Sequence, residues 1–262
     1  MQKTLHAIFV QPITNLLFLI IALLPGHDFG MAVIIITILV RLAIWPLVSK
    51  QLHSQKALTA IQPEANKLKD KFKNDPQGYN AAVMELYKEK EVNPFSSCLF
   101  TLIQMPLLFA LFYVFRPFNN PEYVNLLNPD GIMKEIYSFI ANWGPVSDYI
   151  ATTTTMNTTF FGIIDLAKSS ILLGVIAGAL QFVQSWMILP KHQEKDAASA
   201  MSKQMMFIGP ILTIYISAQG WMPGALPLYW AVSTLFAIGQ QYLVARHEVE
   251  IIEENSNGKK RK

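Results

Sequence analysis

Acidic residues are missing from every long apolar run of this 262-residue chain, and so is lysine. Charged residues make up 15% of the whole, against roughly 25% in an ordinary soluble domain. With 52% apolar residues and a positive mean hydropathy, that scarcity excludes an ordinary soluble domain and marks an integral membrane protein. Cysteine is nearly absent: Cys98 stands alone, so no intrachain disulfide can form. The five histidines, His6, His27, His53, His192 and His247, fall outside or at the ends of the apolar runs. They cannot form a buried metal or proton-relay cluster, and neither a metal nor a cofactor is expected. There is no HExxH, no intramembrane aspartate pair and no histidine placed to activate a serine, so hydrolysis lacks a base and no catalytic residue is assigned. The missing acids also remove the relays of a proton-coupled transporter and the rings of a cation channel. No internal repeat is visible, which counts against a repeat-built transporter.

What the chain does have is a run of spanning length with one charge inside it. Residues 30–49, GMAVIIITILVRLAIWPLVS, cover about 30 Å as a helix, the thickness of a bilayer core. Arg41 should then lie roughly 16 Å in, near the midplane. A charge there costs about 2.5 to 3.5 kcal/mol on the insertion scale and is by default a functional residue. Further spans are expected at 95–115, 169–189, 204–219 and 226–245. The predicted class is an all-α integral membrane protein with five transmembrane helices. The apolar stretch within residues 1–29 is interrupted by Gln11-Pro12 and Thr14-Asn15. No small-residue cleavage site follows it, so a helix at the outer interface is favoured over a span or a cleaved signal.

Residues 50–94 are polar, with eight lysines against six acids. Leu58, Ile61, Ala65, Leu68 and Phe72 recur at helical spacing, and Asn74-Asp75-Pro76 breaks the pattern with a capping acid and a first-turn proline. The segment reads as a helical hairpin bearing Lys67, Lys69, Lys71 and Lys73. The rest divides into a mixed loop at 116–168, a polar loop at 190–203, a tight turn at 220–225 and a basic tail at 246–262. The hairpin, the 190–203 loop and the tail hold sixteen of the twenty-one Lys and Arg. By the positive-inside rule these face the cytoplasm, leaving the N-terminus out and the C-terminus in. A multi-pass membrane protein is expected.

Uncharged polar residues recur inside the spans: Thr37 one turn before Arg41, then Thr101 and Gln104, Gln181 with Gln184 and Ser185, Thr213 and Ser217, and Ser233, Gln240 and Gln241. Singly, such residues are commonly interhelical glue worth about 0.6 kcal/mol. Arg41 is different, because a dry bundle would leave its charge uncompensated, whereas a water-filled recess of amides and hydroxyls would hydrate it. The competing reading is a guanidinium that snorkels or binds backbone carbonyls in a structural role. A hydrated cationic groove would lower the desolvation cost for polar pieces of another chain crossing the bilayer. The alternative function is a small-anion channel or transporter.

Four stretches in order resemble the YidC/Oxa/Alb membrane protein insertases: TILVRLAIWPL; ALTAIQPEANKLKDKFKNDPQ with LYKEKEVNPFSSCLFTLIQMPLLFALFYVF; FFGIIDL; and GALPLYWAVSTLFAIGQQYLV. The resemblance implies a five-helix core around a hydrophilic groove open to cytoplasm and lipid, plus a cytosolic helical hairpin. Arg41 falls on the family's groove arginine, with Gln181 or Gln184 and Trp230 at groove-lining positions. The expected groove set is Arg41, Thr37, Gln104, Gln181, Gln184, Ser217, Trp230 and Ser233. Also implied are a location in the bacterial cytoplasmic membrane, clients that are nascent membrane proteins, docking of the ribosome, the signal recognition particle receptor or the Sec translocon, contact with membrane lipids, and no small-molecule substrate. The chain resembles the form of the family without a large external domain. Its short tail leaves Lys259 to Lys262 either as a solvated end or as a contact for ribosomal RNA or anionic lipid.

Overall fold

The computed structural model describes residues 4, 6–72, 75–90, 92–93, 108–188 and 197–259, and these are mostly helical. Gln104, Lys73, most of the expected second span, much of the 190–203 loop and the last three residues lie outside them.

After a single π turn, α1 runs Gln11–Leu23. α2, Phe29–Ala43, starts on Asp28, whose Oδ1 accepts from the Met31 N–H at 2.8 Å. The run 30–49, expected as one helix, is divided: α2 ends at Ala43 with Ile44 as its C-cap, and α3, Trp45–Lys71, leaves at 65°. Pro46, in the first turn of α3, has no N–H with which to continue the ladder. The hairpin's first helix therefore begins at Trp45, five residues before the expected boundary.

α3 pairs with α4, Pro76–Glu89, through the apolar stripe: Ile61 and Ala65 bury against Leu86. Glu64 and Lys90 close the pair at 2.9 Å. Asp75 caps α4 by accepting from the Gly78 N–H, as its position before Pro76 leads one to expect. Lys67, Lys69 and Lys71 stand exposed on α3.

Residues 108–115 are helical and lead into a folded cap where the sequence suggested only a mixed loop. The cap holds α5 (Ser138–Ala141), α6 (Gly144–Thr152) and an antiparallel hairpin of β1 (Thr159–Phe160) and β2 (Ile164–Asp165). Phe118, Ile132, Val146, Tyr149 and Leu166 are buried in it and share one core with Leu17, Phe18, Ile21 and Phe29. Phe29 stacks on Phe118 at 4.6 Å between ring centroids. The polar interruptions of α1 are now explained. The Gln11 and Asn15 side-chain amides both donate to the Glu135 carbonyl, and Asn15 Oδ1 accepts from the Tyr137 N–H at 2.7 Å. Burial pushes the Tyr149 phenol up to about 12, and its hydroxyl has no hydrogen-bond partner among the described residues.

Beyond the cap, α7 (Ile171–Ile188) packs on both α8 (Ala197–Ser217) and α9 (Ala225–Lys259), and α9 packs on α2. Close approach of α7 to α8 depends on two glycines. A Cβ on Gly174 would overlap the Ser217 side chain, and one on Gly178 would stand 3.0 Å from the Pro210 carbonyl oxygen. Such small-xxx-small spacing lets backbones meet without lipid between them. α9 continues to Lys259, so the expected tail is helical through most of its length.

Phe182, Trp186, Phe207, Ile211, Tyr215, Leu235 and Leu243 are exposed on these helices. That much uncovered apolar surface suits lipid and does not suit water. By length and apolarity, among the described residues, His6–Leu23 could cross a membrane, as could the bent pair α2 and α3 taken together. Ile171–Met187 and Met206–Ser217 are shorter apolar helices.

Asp28 joins the cap to the bundle, because its Oδ2 also accepts from the Phe161 N–H at 2.6 Å. Asp28→Ala removes a helix cap, worth about 1 kcal/mol, and a charged hydrogen bond of similar size. A loss of about 2 kcal/mol in thermal unfolding of the detergent-solubilised protein is expected. Asp28→Asn, which keeps an acceptor, should lose less.

Candidate functional site: a polar recess around Arg41

Arg41 occupies the last turn of α2, so its side chain emerges where the chain bends away. The bend carries the first turns of α3 beside it. Val48, Gln51, Leu52 and Gln55, at helical spacing, form one wall of a recess of about 430 Å³. α9 supplies the facing wall with Tyr229, Trp230, Ser233, Thr234, Ala237 and Gln241. α7 adds Gln181, Gln184 and Ser185, and α8 adds Gly209 and Pro210.

Arg41 is half-buried, and its Nε donates to Ser233 Oγ at 2.7 Å while a terminal guanidinium nitrogen donates to the same oxygen. Among the described residues no ion pair includes it. Its hydrogen-bond partner among them is a single hydroxyl, that of Ser233, while the amides of Gln181, Gln184 and Gln241 line the same recess.

Two side chains hold the walls in place. Gln240 Nε2 donates to the Trp45 carbonyl and to Ser49 Oγ, each at 3.2 Å, fixing the start of α3 against α9. Thr213 Oγ1 donates to Gln181 Oε1 at 2.8 Å, tying α8 to α7 and committing that amide's oxygen. Gln181 is thereby left with N–H donors for the recess. The Gln241 side-chain oxygen, on the recess wall, is buried without a hydrogen-bond partner among the described residues. A buried acceptor in that state calls for water or a visiting donor.

Of the residues expected from sequence, Arg41, Gln181, Gln184, Trp230 and Ser233 come together around this recess. Thr37 and Ser217 do not line it. Each is buried and spends its hydroxyl on the carbonyl one turn back in its own helix, Val33 at 2.6 Å and Thr213 at 2.7 Å. Gln104 lies outside the described residues. Missed by sequence reasoning were Gln51 and Gln55, assigned to the hairpin, and Tyr229 and Thr234. The spacing of Gln51 and Gln55, one helical turn apart, was the signal available. No group of histidine, cysteine, aspartate and glutamate suited to a metal occurs among the described residues.

The family model described as "60Kd inner membrane protein" matches residues 20–251. The chain is 35% identical over 219 residues to the membrane protein insertase YidC of Fusobacterium nucleatum, covering 84% of this chain and 87% of that protein. It is 32% identical over 224 residues to YidC of Clostridium tetani, covering 86% and 84%. It is 30% identical over 247 residues to the insertase MisCA of Bacillus subtilis, covering 92% and 79%. A match of this extent, carried through the arginine helix, the hairpin and the recess walls alike, places the chain in the 60Kd inner membrane protein family, among YidC and MisCA membrane protein insertases of the short bacterial type.

Proposed function

We propose that this protein is a membrane protein insertase in which a nascent hydrophobic segment moves from the cytosol into lipid along α7 and α9, while its polar flank passes through the recess beside Arg41. The observation that carries the reading is a guanidinium held by Ser233 in an open, polar recess, with no acid paired to it among the described residues. Such a recess replaces part of the water a polar flank loses on leaving the cytosol, lowering the barrier without bond chemistry. Exposed apolar side chains on the same two helices, Phe182 and Trp186 on α7 and Leu235 on α9, would present lipid-like surface to the hydrophobic part of the client.

In this reading α2, α7, α8 and α9, with the segment at 95–115, are the five spans. The hairpin and the C-terminus face the cytoplasm and the cap lies outside. α1 then rests along the outer interface. Its contacts with the cap support this, running from Gln11 and Asn15 to Phe18, which meets Tyr149 edge-on at 5.8 Å. A helix crossing the bilayer would meet an outer cap at one end only. The exposed Lys67, Lys69 and Lys71 suit an acidic docking surface on targeting machinery or the ribosome.

A photoreactive residue in place of Gln184 or Trp230 should crosslink to a ribosome-bound client halted partway through insertion, and one at Phe139 in the cap should not. A client that inserts normally yet is captured at neither recess position would remove the groove from the mechanism. Selective anion flux through reconstituted liposomes would instead favour a channel.

A further inference from the structure

The hairpin of β1 and β2 ends in a tight turn that is apolar where such turns are ordinarily polar. Phe161 and Gly162 sit at φ 48° and 70°, and the Ile163 N–H donates to the Phe160 carbonyl at 3.0 Å. Asparagine, aspartate or glycine normally fill both left-handed positions of a turn of this kind, so an aromatic at the first is uncommon. Both side chains flanking Gly162 project from the fold. Phe161 is 66% exposed, and Ile163, at 85%, is the most exposed large apolar side chain among the described residues. No charged residue occurs between Asn157 and Ile164.

The height of this tip relative to the bundle is set by three helix starts. At α2, the Phe161 N–H donates to Asp28, and the Phe160 ring lies so close over Gly30 that a Cβ there would overlap it. At α9, the Gly224 N–H donates to the Lys168 carbonyl at 2.8 Å and the Ala225 N–H to the Leu166 carbonyl at 3.2 Å. At α7, Ile171 follows β2 after five residues, and it and Leu172 are themselves exposed apolar residues. Asp165 locks the base: burial alone would raise its pKa, but hydrogen bonds from Lys168, Thr158 and the Ala167 N–H outweigh that and hold it below the usual value.

We propose that Phe161 and Ile163 are seated in the lipid of the outer leaflet, at the level of headgroups and upper acyl chains, as a peg that pins the cap to the membrane beside the client path. This rests on the orientation proposed above, in which α2, α7 and α9 all begin at the outer face. Lipid is the fitting occupant because the three starts place the tip at the membrane boundary. An aromatic beside a branched aliphatic, with charge kept to the base of the hairpin, matches that boundary. A protein partner in the aqueous phase would be expected to find polar side chains among the apolar ones.

The test uses the full chain with Cys98→Ser, reconstituted into phosphatidylethanolamine and phosphatidylglycerol vesicles. An environment-sensitive fluorophore is attached at Ile163→Cys, at Leu172→Cys on α7, or at Asp130→Cys on the exposed part of the cap. Phospholipid carrying a nitroxide near its headgroup should quench the probes at 163 and 172 several-fold more than the one at 130, and aqueous iodide should show the reverse order. If the probe at 172 is quenched by lipid while the one at 163 behaves like 130, the tip is in water; the peg is overturned and the topology stands. A probe at 163 shielded from both quenchers would mean that protein covers it, which also overturns the peg. If neither 163 nor 172 is quenched by lipid, the proposed orientation fails and the peg with it.

Discussion

Arg41→Ala should reduce insertion of a client with an acidic external tail by more than tenfold at equal expression, while a client with a neutral tail loses far less. The guanidinium is a fixed cation lining a recess of about 430 Å³, with Ser233 as its hydrogen-bond partner. A carboxylate passing at about 8 Å, at an effective dielectric of about 20, is stabilised by about 2 kcal/mol, or about thirtyfold in rate if that attraction is felt only at the barrier. Arg41→Lys keeps the charge but loses the two-pronged grip on Ser233, so most activity should remain with a modest drop. Ser233→Ala keeps the charge and loosens its aim, and should fall between the two. The measurement is protease protection of the external tail in vesicles made from cells depleted of other insertases. Equal insertion by wild type and Arg41→Ala would leave the arginine a structural role only.

A second large effect is expected far from any charge. Gly178→Leu should destabilise the bundle by about 3 kcal/mol or more, since overpacking commonly costs about 1 to 3 kcal/mol and here one obstacle is backbone. A Cβ at this position already meets the Pro210 carbonyl oxygen and the Ile214 side chain, so a full leucine must push α7 from α8. The Gln181 to Thr213 hydrogen bond crosses the same seam one turn away, and Gln181 and Pro210 both face the recess. Insertion should therefore fall together with thermal stability in detergent. Gly239→Ala is the matched control: nothing lies within 4 Å of a Cβ there, and alanine is the better helix former. A Gly178→Leu protein with unchanged melting behaviour would show that the seam is looser than its geometry says.

Much of the candidate site could be read before any coordinates, because the bilayer makes charge conspicuous. An arginine in an acid-free apolar run needs water, a route to the interface or uncharged acceptors, and the amides of Gln181 and Gln184 were among the polar groups at hand. Less legible was which hydroxyls were free to serve. Thr37 and Ser217 have the same polarity as Ser233, but a helical serine or threonine can satisfy itself on the carbonyl four residues back, and these two do. Composition cannot distinguish a hydroxyl so spent from one held toward a neighbouring helix.

The cap was less legible still. A region rich in turns, with short elements and a two-residue sheet, gives no periodicity long enough to recognise. Its core forms by long-range contact, Phe118 on Phe29 and Tyr149 on Phe18, from segments more than eighty residues apart. Gln11 and Asn15 looked like blemishes in an apolar helix until the Glu135 carbonyl supplied their partner.

The amino-acid sequence alone determined that this is a helical membrane protein, that a single arginine stands inside an acid-free apolar run, and that a lysine-rich helical pair follows that run. All three follow from local quantities, namely hydrophobic length, charge count and helical period. Tertiary structure alone decided which residues surround that cation. The 65° turn at Ile44 brings Gln51 and Gln55 in from the hairpin, while the packing of α9 on α2 sets Ser233 against Arg41. Neighbours across helices depend on where each axis points, and a change of axis is settled by contacts between distant segments that no local pattern contains.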